Sequence, residues 1–220
     1  MLKDVSKHLL ISIMGTMGCG KTTAANLLSE KLKIPIVEEN FADNLFLEHF
    51  YQDMSRWAFH SQAFFLTEKI RQLIQIKQQL KTTSIIQDTP IYQDVYSYAQ
   101  AQQKMDHMSE KEWQLYQKIF EPMTRVIPKP NLVIYLETSI ANVRSRITNR
   151  GREFEQDTPT EYLTILNELN NKWVKTNHKK FKILTISTDH INLVTNLADQ
   201  KQFVNQVKDK INLFSKKAHL

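Results

Sequence analysis

The chain has 220 residues, of which 41% are hydrophobic and 24% charged, and its formal net charge is +6. This composition excludes an intrinsically disordered protein. The single cysteine excludes an internal disulfide and favours a reducing compartment such as the cytoplasm. The apolar run at 9–14 is too short to cross a membrane, and the scattered lysines favour a solvated surface over nucleic-acid binding. We expect one cytoplasmic domain that spans residues 1–220.

Short apolar runs alternate with longer amphipathic segments along the chain. The runs at 9–14, 34–37, 84–88, 132–136 and 182–187 predict five buried strands. Between and after them, helices are predicted at 20–31, 44–81, 91–104, 109–120, 139–149, 160–176 and 199–214. The long segment at 44–81 is expected to break near 53–55, with Ser55 as the cap of its second part. This alternation predicts an α/β fold with a parallel sheet covered by helices on both faces.

Glycine is scarce, with four in the chain, yet three of them lie within six residues. Residues 15–22 match the pattern G-x-x-x-x-G-K-[ST], directly after the first predicted strand and at the start of the first helix. Backbone N–H groups in such a loop bind phosphate oxygens. Lys21 would reach the β- and γ-phosphates of a nucleotide, and the Thr22 hydroxyl would bind Mg²⁺. The predicted nucleotide-binding residues are Gly15, Thr16, Met17, Gly18, Cys19, Gly20, Lys21, Thr22 and Thr23.

Cys19 lies at the start of the first predicted helix, beside Lys21. A helix N-terminus and a neighbouring ammonium both favour a thiolate. We therefore expect the pKa of this thiol to lie below its usual value.

Two acidic residues, Glu38 and Glu39, end the second predicted strand. The carboxyl edge of a parallel sheet is where such folds bind ligands, so a carboxylate there could accept a proton from an attacking hydroxyl. Paired acids repel an anionic acceptor, which favours a neutral alcohol over a nucleoside monophosphate. A solvated strand end explains the same residues equally well.

From 15 to about 173, the order of these motifs resembles the deoxynucleoside kinase family, particularly its bacterial deoxyadenosine/deoxyguanosine kinase branch. Glu39 is followed by Asn44, Leu47, Phe50 and Tyr51, like the segment that carries the catalytic base in that family. The family usually has Glu-Pro-Val where this chain has Glu39, Asn40 and Phe41. The resemblance implies a P-loop NTPase-like three-layer fold and transfer of phosphate from ATP, with Mg²⁺, to the 5′-hydroxyl of a deoxynucleoside in nucleotide salvage. The resemblance also implies that Glu39 is the general base.

The resemblance also implies the acceptor site. Tyr51 matches the tyrosine that holds the sugar 3′-hydroxyl, and Glu155 matches a lid acid that contacts the same group. Gln62 matches the glutamine that pairs with the nucleobase edge, for which an amide supplies both donor and acceptor. Lys69 stands where the family has arginine, and Asp94 matches the acidic partner of that arginine. The resemblance implies that Gln62, Lys69 and Asp94 together read the base. A purine is preferred because the bacterial branch fits best.

Asp88, Thr89 and Pro90 follow the third predicted strand. In the family this segment carries an acid that contacts Mg²⁺ and an arginine that orients the base and binds phosphate. Asp88 keeps the acid, whereas Thr89 replaces the arginine. Three interpretations stay open: another cation substitutes, the activity is weak, or catalysis has been lost.

Four arginines fall within nine residues beside Gly151, and they resemble the arginine-rich lid of the family, here at about 144–158. The resemblance makes Arg146, Arg150 and Arg152 the catalytic lid residues that close over the donor phosphates. Two other functions stay open: a noncatalytic nucleotide-binding subunit that regulates a related kinase, and a nucleoside monophosphate kinase. Members of the family are commonly homodimers, and a heterodimer is the alternative here.

Overall fold

The computed structural model describes residues 8–39 and 43–217, with side chains as far as Leu213. Its strands are β1 (Leu10–Met14), β2 (Ile36–Val37), β3 (Ile85–Asp88), β4 (Leu132–Glu137) and β5 (Ile183–Ser187). They form one sheet in the order β2-β3-β1-β4-β5, and every pairing is parallel. The carboxyl ends of these strands therefore meet at one edge of the sheet.

Helices connect the strands and cover the sheet. They are α1 (Lys21–Leu32), α2 (Leu47–Gln52), α3 (Met54–Gln79), α4 (Ile91–Gln93), α5 (Gln100–Lys104), α6 (Glu110–Met123), α7 (Ile140–Arg150), α8 (Thr160–Asn177) and α9 (Leu197–Lys217). A π-helical turn (Asp94–Ala99) joins α4 to α5, and a 3-10 turn (Glu153–Glu155) follows α7. None of the described helices combines the length and apolar character that crossing a bilayer requires.

Alternation along β1 shows how the two faces of the sheet are buried. Leu10 and Met14 pack into one core, with side chains from α3, α6 and α8. Ile11 and Ile13 point to the other face and pack against α1 and α9. Because neighbouring strand residues point to opposite faces, a wholly apolar strand needs helices on both sides. The predicted three-layer α/β fold is confirmed.

The predicted strands are confirmed to within two residues at each end. The predicted cap of the helix after the break is wrong, because Asp53 rather than Ser55 caps α3. The Asp53 carboxylate accepts a hydrogen bond from the backbone N–H of Arg56 at 3.1 Å, while the Ser55 hydroxyl bonds to that same carboxylate. Asn40 and Phe41, where the chain departs from the family pattern, lie outside the described residues.

Candidate active site

A cleft of about 960 Å³ opens at the carboxyl edge of the sheet. Its walls come from the loop between β1 and α1, the ends of β2 and β3, helices α2 and α3, the π-helical turn, the segment after α7, and the loop after β5. The position agrees with the rule that α/β sheets bind ligands beyond the carboxyl ends of their strands.

The loop between β1 and α1 forms an open bowl at the helix N-terminus. Gly18 and Gly20 have φ values of +80° and +102°, in the left-handed region that favours glycine. A Cβ at Gly20 would have nothing within 4 Å, so the backbone at this point faces free space. Unpaired N–H groups and the helix dipole suit this bowl to a phosphate.

The first residue of the loop is held from behind by a glutamine. Gln93 Oε1 accepts from the Gly15 N–H at 3.1 Å, and Gln93 Nε2 donates to the Gly15 carbonyl at 2.5 Å. The same carbonyl accepts from Lys21 Nζ at 3.0 Å. Lys21 is therefore folded back onto its own loop, and Gln93 can satisfy the Gly15 carbonyl when the ammonium turns toward a ligand.

Thr22 and Asp88 meet at the mouth of the bowl. The Thr22 hydroxyl donates to Asp88 Oδ2 at 2.6 Å. This pair supplies hard oxygen ligands and suits Mg²⁺, which is usually bound by one or two carboxylates together with water and substrate phosphates. The described residues contain no cluster of three or more His, Cys, Asp or Glu side chains that could hold a metal ion. Thr22 and Asp88 are the residues that would hold the ion.

Cys19 corrects the expectation from the sequence, because its pKa is raised rather than lowered. The side chain is 1% exposed, and burial outweighs the opposing effect of the Lys21 ammonium. A Cβ at Gly15 would lie 2.5 Å from its sulfur, so Cys19 fills the space under the loop.

Three ionisable groups meet below the ends of β2 and β3. Lys69 Nζ lies 3.2 Å from Glu39 Oε1 and 4.0 Å from Asp94 Oδ2. Burial alone would lower the pKa of Lys69, but the two carboxylates outweigh it and raise that pKa above its usual value. Burial raises the pKa of Asp94 to about 8, with Glu39 and Asp88 adding to the shift against Lys69 and Lys21. Glu39 and Asp94 line the cleft, whereas Lys69 lies behind them.

The acceptor end of the cleft contains an unpaired amide. Gln62 is 3% exposed, and among the described residues its Oε1 has no hydrogen-bond partner. A buried polar atom without a partner is costly and indicates a missing ligand or water. Tyr98, which lies on the π-helical turn four residues after Asp94, lines the same wall.

Tyr51 and Glu155 lie on one wall of the cleft. Burial raises the pKa of the Tyr51 hydroxyl, and the nearby Tyr162 and Glu155 add to the effect. Glu155 is buried and pairs with both Arg150 and Arg152, the second at 3.2 Å. These two lid arginines are therefore held by an acid of their own segment.

Arg146 connects the lid to the phosphate-binding loop. Its guanidinium donates to the Cys19 carbonyl at 2.8 Å and to the hydroxyl and carbonyl of Thr188, which follows β5. The next residues, 191–195, line the cleft beside it.

Most of the predicted site residues line this one cleft. They are Met17, Gly18, Cys19, Gly20, Lys21, Thr22, Thr23, Glu39, Tyr51, Gln62, Asp88, Asp94, Arg146, Arg150, Arg152 and Glu155. Gly15, Thr16 and Lys69 lie behind its surface. The Thr16 hydroxyl, for example, donates to the half-buried side chain of Asn167 and accepts from the buried side chain of Asn170. The sequence analysis missed Gln93, Tyr98 and the 191–195 loop; only the last had a signal, since it follows a predicted strand.

Known proteins match the chain over almost its whole length. The family model described as deoxynucleoside kinase matches residues 11–212. Deoxyguanosine kinase of Bacillus subtilis (strain 168) is 32% identical over 91% of this chain and 97% of its own length. Deoxyadenosine/deoxycytidine kinase of the same organism is 29% identical over 97% and 98%. The structure of deoxyadenosine kinase from M. mycoides with bound dATP is 26% identical, with a TM-score of 0.77 over 93% of this chain and 100% of that one. The chain belongs to the deoxynucleoside kinase family, which consists of phosphotransferases.

Proposed function

We propose that the protein transfers the γ-phosphoryl group of ATP to the 5′-hydroxyl of a purine deoxynucleoside, in nucleotide salvage. One observation carries the proposal: a single cleft joins a phosphate-binding bowl at Lys21 to a pocket lined by Glu39 and the unpaired amide of Gln62. Donor phosphates and a neutral acceptor can therefore meet in one space. The relatives named for deoxyguanosine and deoxyadenosine support the purine, and one of these relatives is named for deoxycytidine as well.

In this proposal each group has a role set by its position. Glu39 accepts the proton of the 5′-hydroxyl as general base. Lys21 turns from the Gly15 carbonyl to the transferring phosphate. Arg146, Arg150 and Arg152 stabilise the donor phosphates, which requires Arg150 and Arg152 to exchange Glu155 for phosphate oxygens. Mg²⁺, held by Thr22 and Asp88, would neutralise charge on the β- and γ-phosphate oxygens.

The acceptor is held by the opposite wall of the cleft. Gln62 can accept from, and donate to, the edge of a nucleobase, which would satisfy its buried oxygen. Asp94 lines the same cleft and is the second base-contacting group. Tyr51 and Glu155 lie together where they could hold the sugar 3′-hydroxyl. The homodimer implied by the resemblance stays a prediction of the sequence.

The two other functions fit the site less well. A nucleoside monophosphate kinase needs cations to hold the acceptor phosphate, but the paired acids Glu38 and Glu39 line this part of the cleft. A noncatalytic nucleotide-binding subunit would use Lys21 and Asp88 but has no use for the Glu39 carboxylate in the same cleft, and the family consists of enzymes.

The proposal is tested by incubating the purified protein with ATP, Mg²⁺ and a panel of nucleosides and nucleoside monophosphates. We expect deoxyadenosine or deoxyguanosine to be converted fastest, with the 5′-monophosphate as product. Glu39→Gln should lower kcat by about 10²–10⁴-fold, the usual contribution of a general base, while ATP still binds.

Glu38→Gln is the matched control, since Glu38 is the neighbouring acid on the same strand end. We expect it to keep turnover. Near-normal turnover by Glu39→Gln would show that another residue is the general base. ATP binding without conversion of any acceptor would favour the noncatalytic subunit.

A further inference from the structure

Lys69 is a charged side chain in an unusual place. It lies on α3 and is 2% exposed, although lysine is almost never fully buried unless it is paired. It does not line the cleft. The buried charge must therefore serve the protein groups around it.

The partners of Lys69 account for all of its hydrogen-bonding capacity. An ammonium has three N–H donors and no acceptor. Lys69 Nζ lies 3.2 Å from Glu39 Oε1, 2.9 Å from the Thr89 carbonyl and 3.5 Å from the Asp88 carbonyl. These three acceptors come from the ends of the neighbouring strands β2 and β3. The Asp88 carbonyl is at the limit of hydrogen-bond distance, but all three acceptors are protein groups and Lys69 does not line the cleft, so its ammonium is directed at the protein rather than at a nucleobase.

The chain after β3 takes an unusual backbone conformation at this contact. Thr89 is buried and has a φ of +61°, which is rare for a β-branched residue and costs about 1–2 kcal/mol. Its N–H donates to the Ile13 carbonyl at 3.1 Å, and its hydroxyl lies 3.3 Å from Asp88 Oδ1. The remaining hydrogen-bonding group of Thr89, its carbonyl, accepts from Lys69 Nζ. The ammonium thus fixes the left-handed turn and the Glu39 carboxylate together.

We propose that Lys69 is a positioning residue that holds the Glu39 carboxylate in the cleft, supplying the cation that Thr89 does not, and that it takes no part in recognising the nucleobase. The inference rests on the proposed function, because it takes Glu39 as the base. The sequence left open whether another cation substitutes for the arginine that Thr89 replaces. In this proposal the substitute is the Lys69 ammonium, which extends from α3.

Steady-state kinetics of Lys69→Met, with the best deoxynucleoside of the panel, tests the inference. We expect kcat to fall by about 10²-fold, the cost of misplacing a reacting group by about 1 Å. KM for the nucleoside should change by less than about two-fold, because no binding contact is removed. The ranking of nucleosides should stay the same, and Lys69→Arg should restore much of kcat.

Lys77→Met is the matched control, since it removes an exposed ammonium from the same helix, where Nζ bonds to the Val126 carbonyl. We expect it to keep wild-type kcat. A raised KM or an altered ranking of nucleosides in Lys69→Met, with kcat preserved, would show that Lys69 reads the base and would overturn the inference.

A double variant separates this inference from the proposed function. If Lys69 acts through Glu39, adding Lys69→Met to Glu39→Gln should cost no further turnover, measured in a single-turnover assay. An equal loss in both backgrounds would overturn the positioning role. Near-normal turnover by Glu39→Gln alone would instead overturn the proposed function.

Folding is monitored by thermal unfolding and by binding of a nonhydrolysable ATP analogue. If Lys69→Met does not fold, Lys69→Arg decides the question by itself. Retained kcat with an unchanged ranking of nucleosides supports the positioning role, whereas a changed ranking contradicts it.

Discussion

Gly18 and Gly20 belong to the same motif, but each position requires glycine for a different reason. Both have a positive φ, so any other residue is strained at either position. A Cβ at Gly18 would lie 2.8 Å from Ile147 Cγ1 and 3.0 Å from the Val143 carbonyl, both on α7. A Cβ at Gly20 would meet nothing within 4 Å. Gly18 therefore lets the lid helix pack closely, and Gly20 keeps the bowl open.

Alanine substitutions should separate these two reasons. Gly18→Ala and Gly20→Ala both incur the left-handed cost of about 1–2 kcal/mol. Gly18→Ala should lower the free energy of unfolding by about 1–3 kcal/mol more, because its Cβ overpacks against α7. The Val143 carbonyl there is part of the helix backbone and cannot move freely. The free energy of unfolding in urea, measured without nucleotide, gives the comparison. Equal destabilisation by the two substitutions would contradict this account of Gly18.

At the scale of elements, apolar runs were sufficient to predict the strands, because buried parallel strands are apolar on both faces. The glycine-rich loop was predicted to lie between a strand and a helix, and it joins β1 to α1; phosphate binding by this loop stays a prediction. The π-helical turn at Asp94–Ala99 was not predicted, since no residue pattern marks it. Gln93 lies just before that turn and Tyr98 lies within it. Their contact with the site depends on tertiary packing. Asp53 and Ser55 are both good helix caps, so the sequence alone could not choose between them.

Gln93, the last residue of α4, holds the loop between β1 and α1 in place. Removing both of its bonds, in Gln93→Leu, leaves the buried Gly15 N–H without its partner and the Gly15 carbonyl with Lys21 alone. If Lys21 turns to ATP as proposed, that carbonyl would be left unpaired, at a cost of about 1–3 kcal/mol. We expect affinity for ATP to fall by about 10- to 100-fold.

Gln87→Leu is the control for this prediction. Gln87 is equally buried, but its amide accepts from Ser12 within the sheet. We expect it to lower the free energy of unfolding without weakening ATP binding, as measured by calorimetry. A similar loss of ATP affinity in both variants would show that general destabilisation, rather than the Gly15 contact, is responsible.

At the scale of the whole molecule, the buried charges of the cleft connect stability to pH. Asp94 is surrounded by ionisable groups from several elements: Lys69, Glu39, Lys21, Asp88, Tyr98 and Tyr116. Its pKa rises from 3.8 to about 8 on folding, chiefly through burial. The folded protein therefore keeps a proton at Asp94 in a pH range where the unfolded chain has released it.

The sign of the effect on stability follows from this difference. A raised folded-state pKa stabilises the protein fully below the unfolded value, and the stabilisation is lost as pH rises through the folded value. Between pH 5 and 8 or so, Asp94 should lower the free energy of unfolding by at most about 1.4 kcal/mol per pH unit. Asp94→Asn removes this titration, so its stability relative to wild type should improve steadily over that range. Asp106→Asn, in an exposed turn, should run parallel to wild type. Parallel curves for Asp94→Asn and wild type in chemical unfolding would show that Asp94 is already ionised in the folded protein.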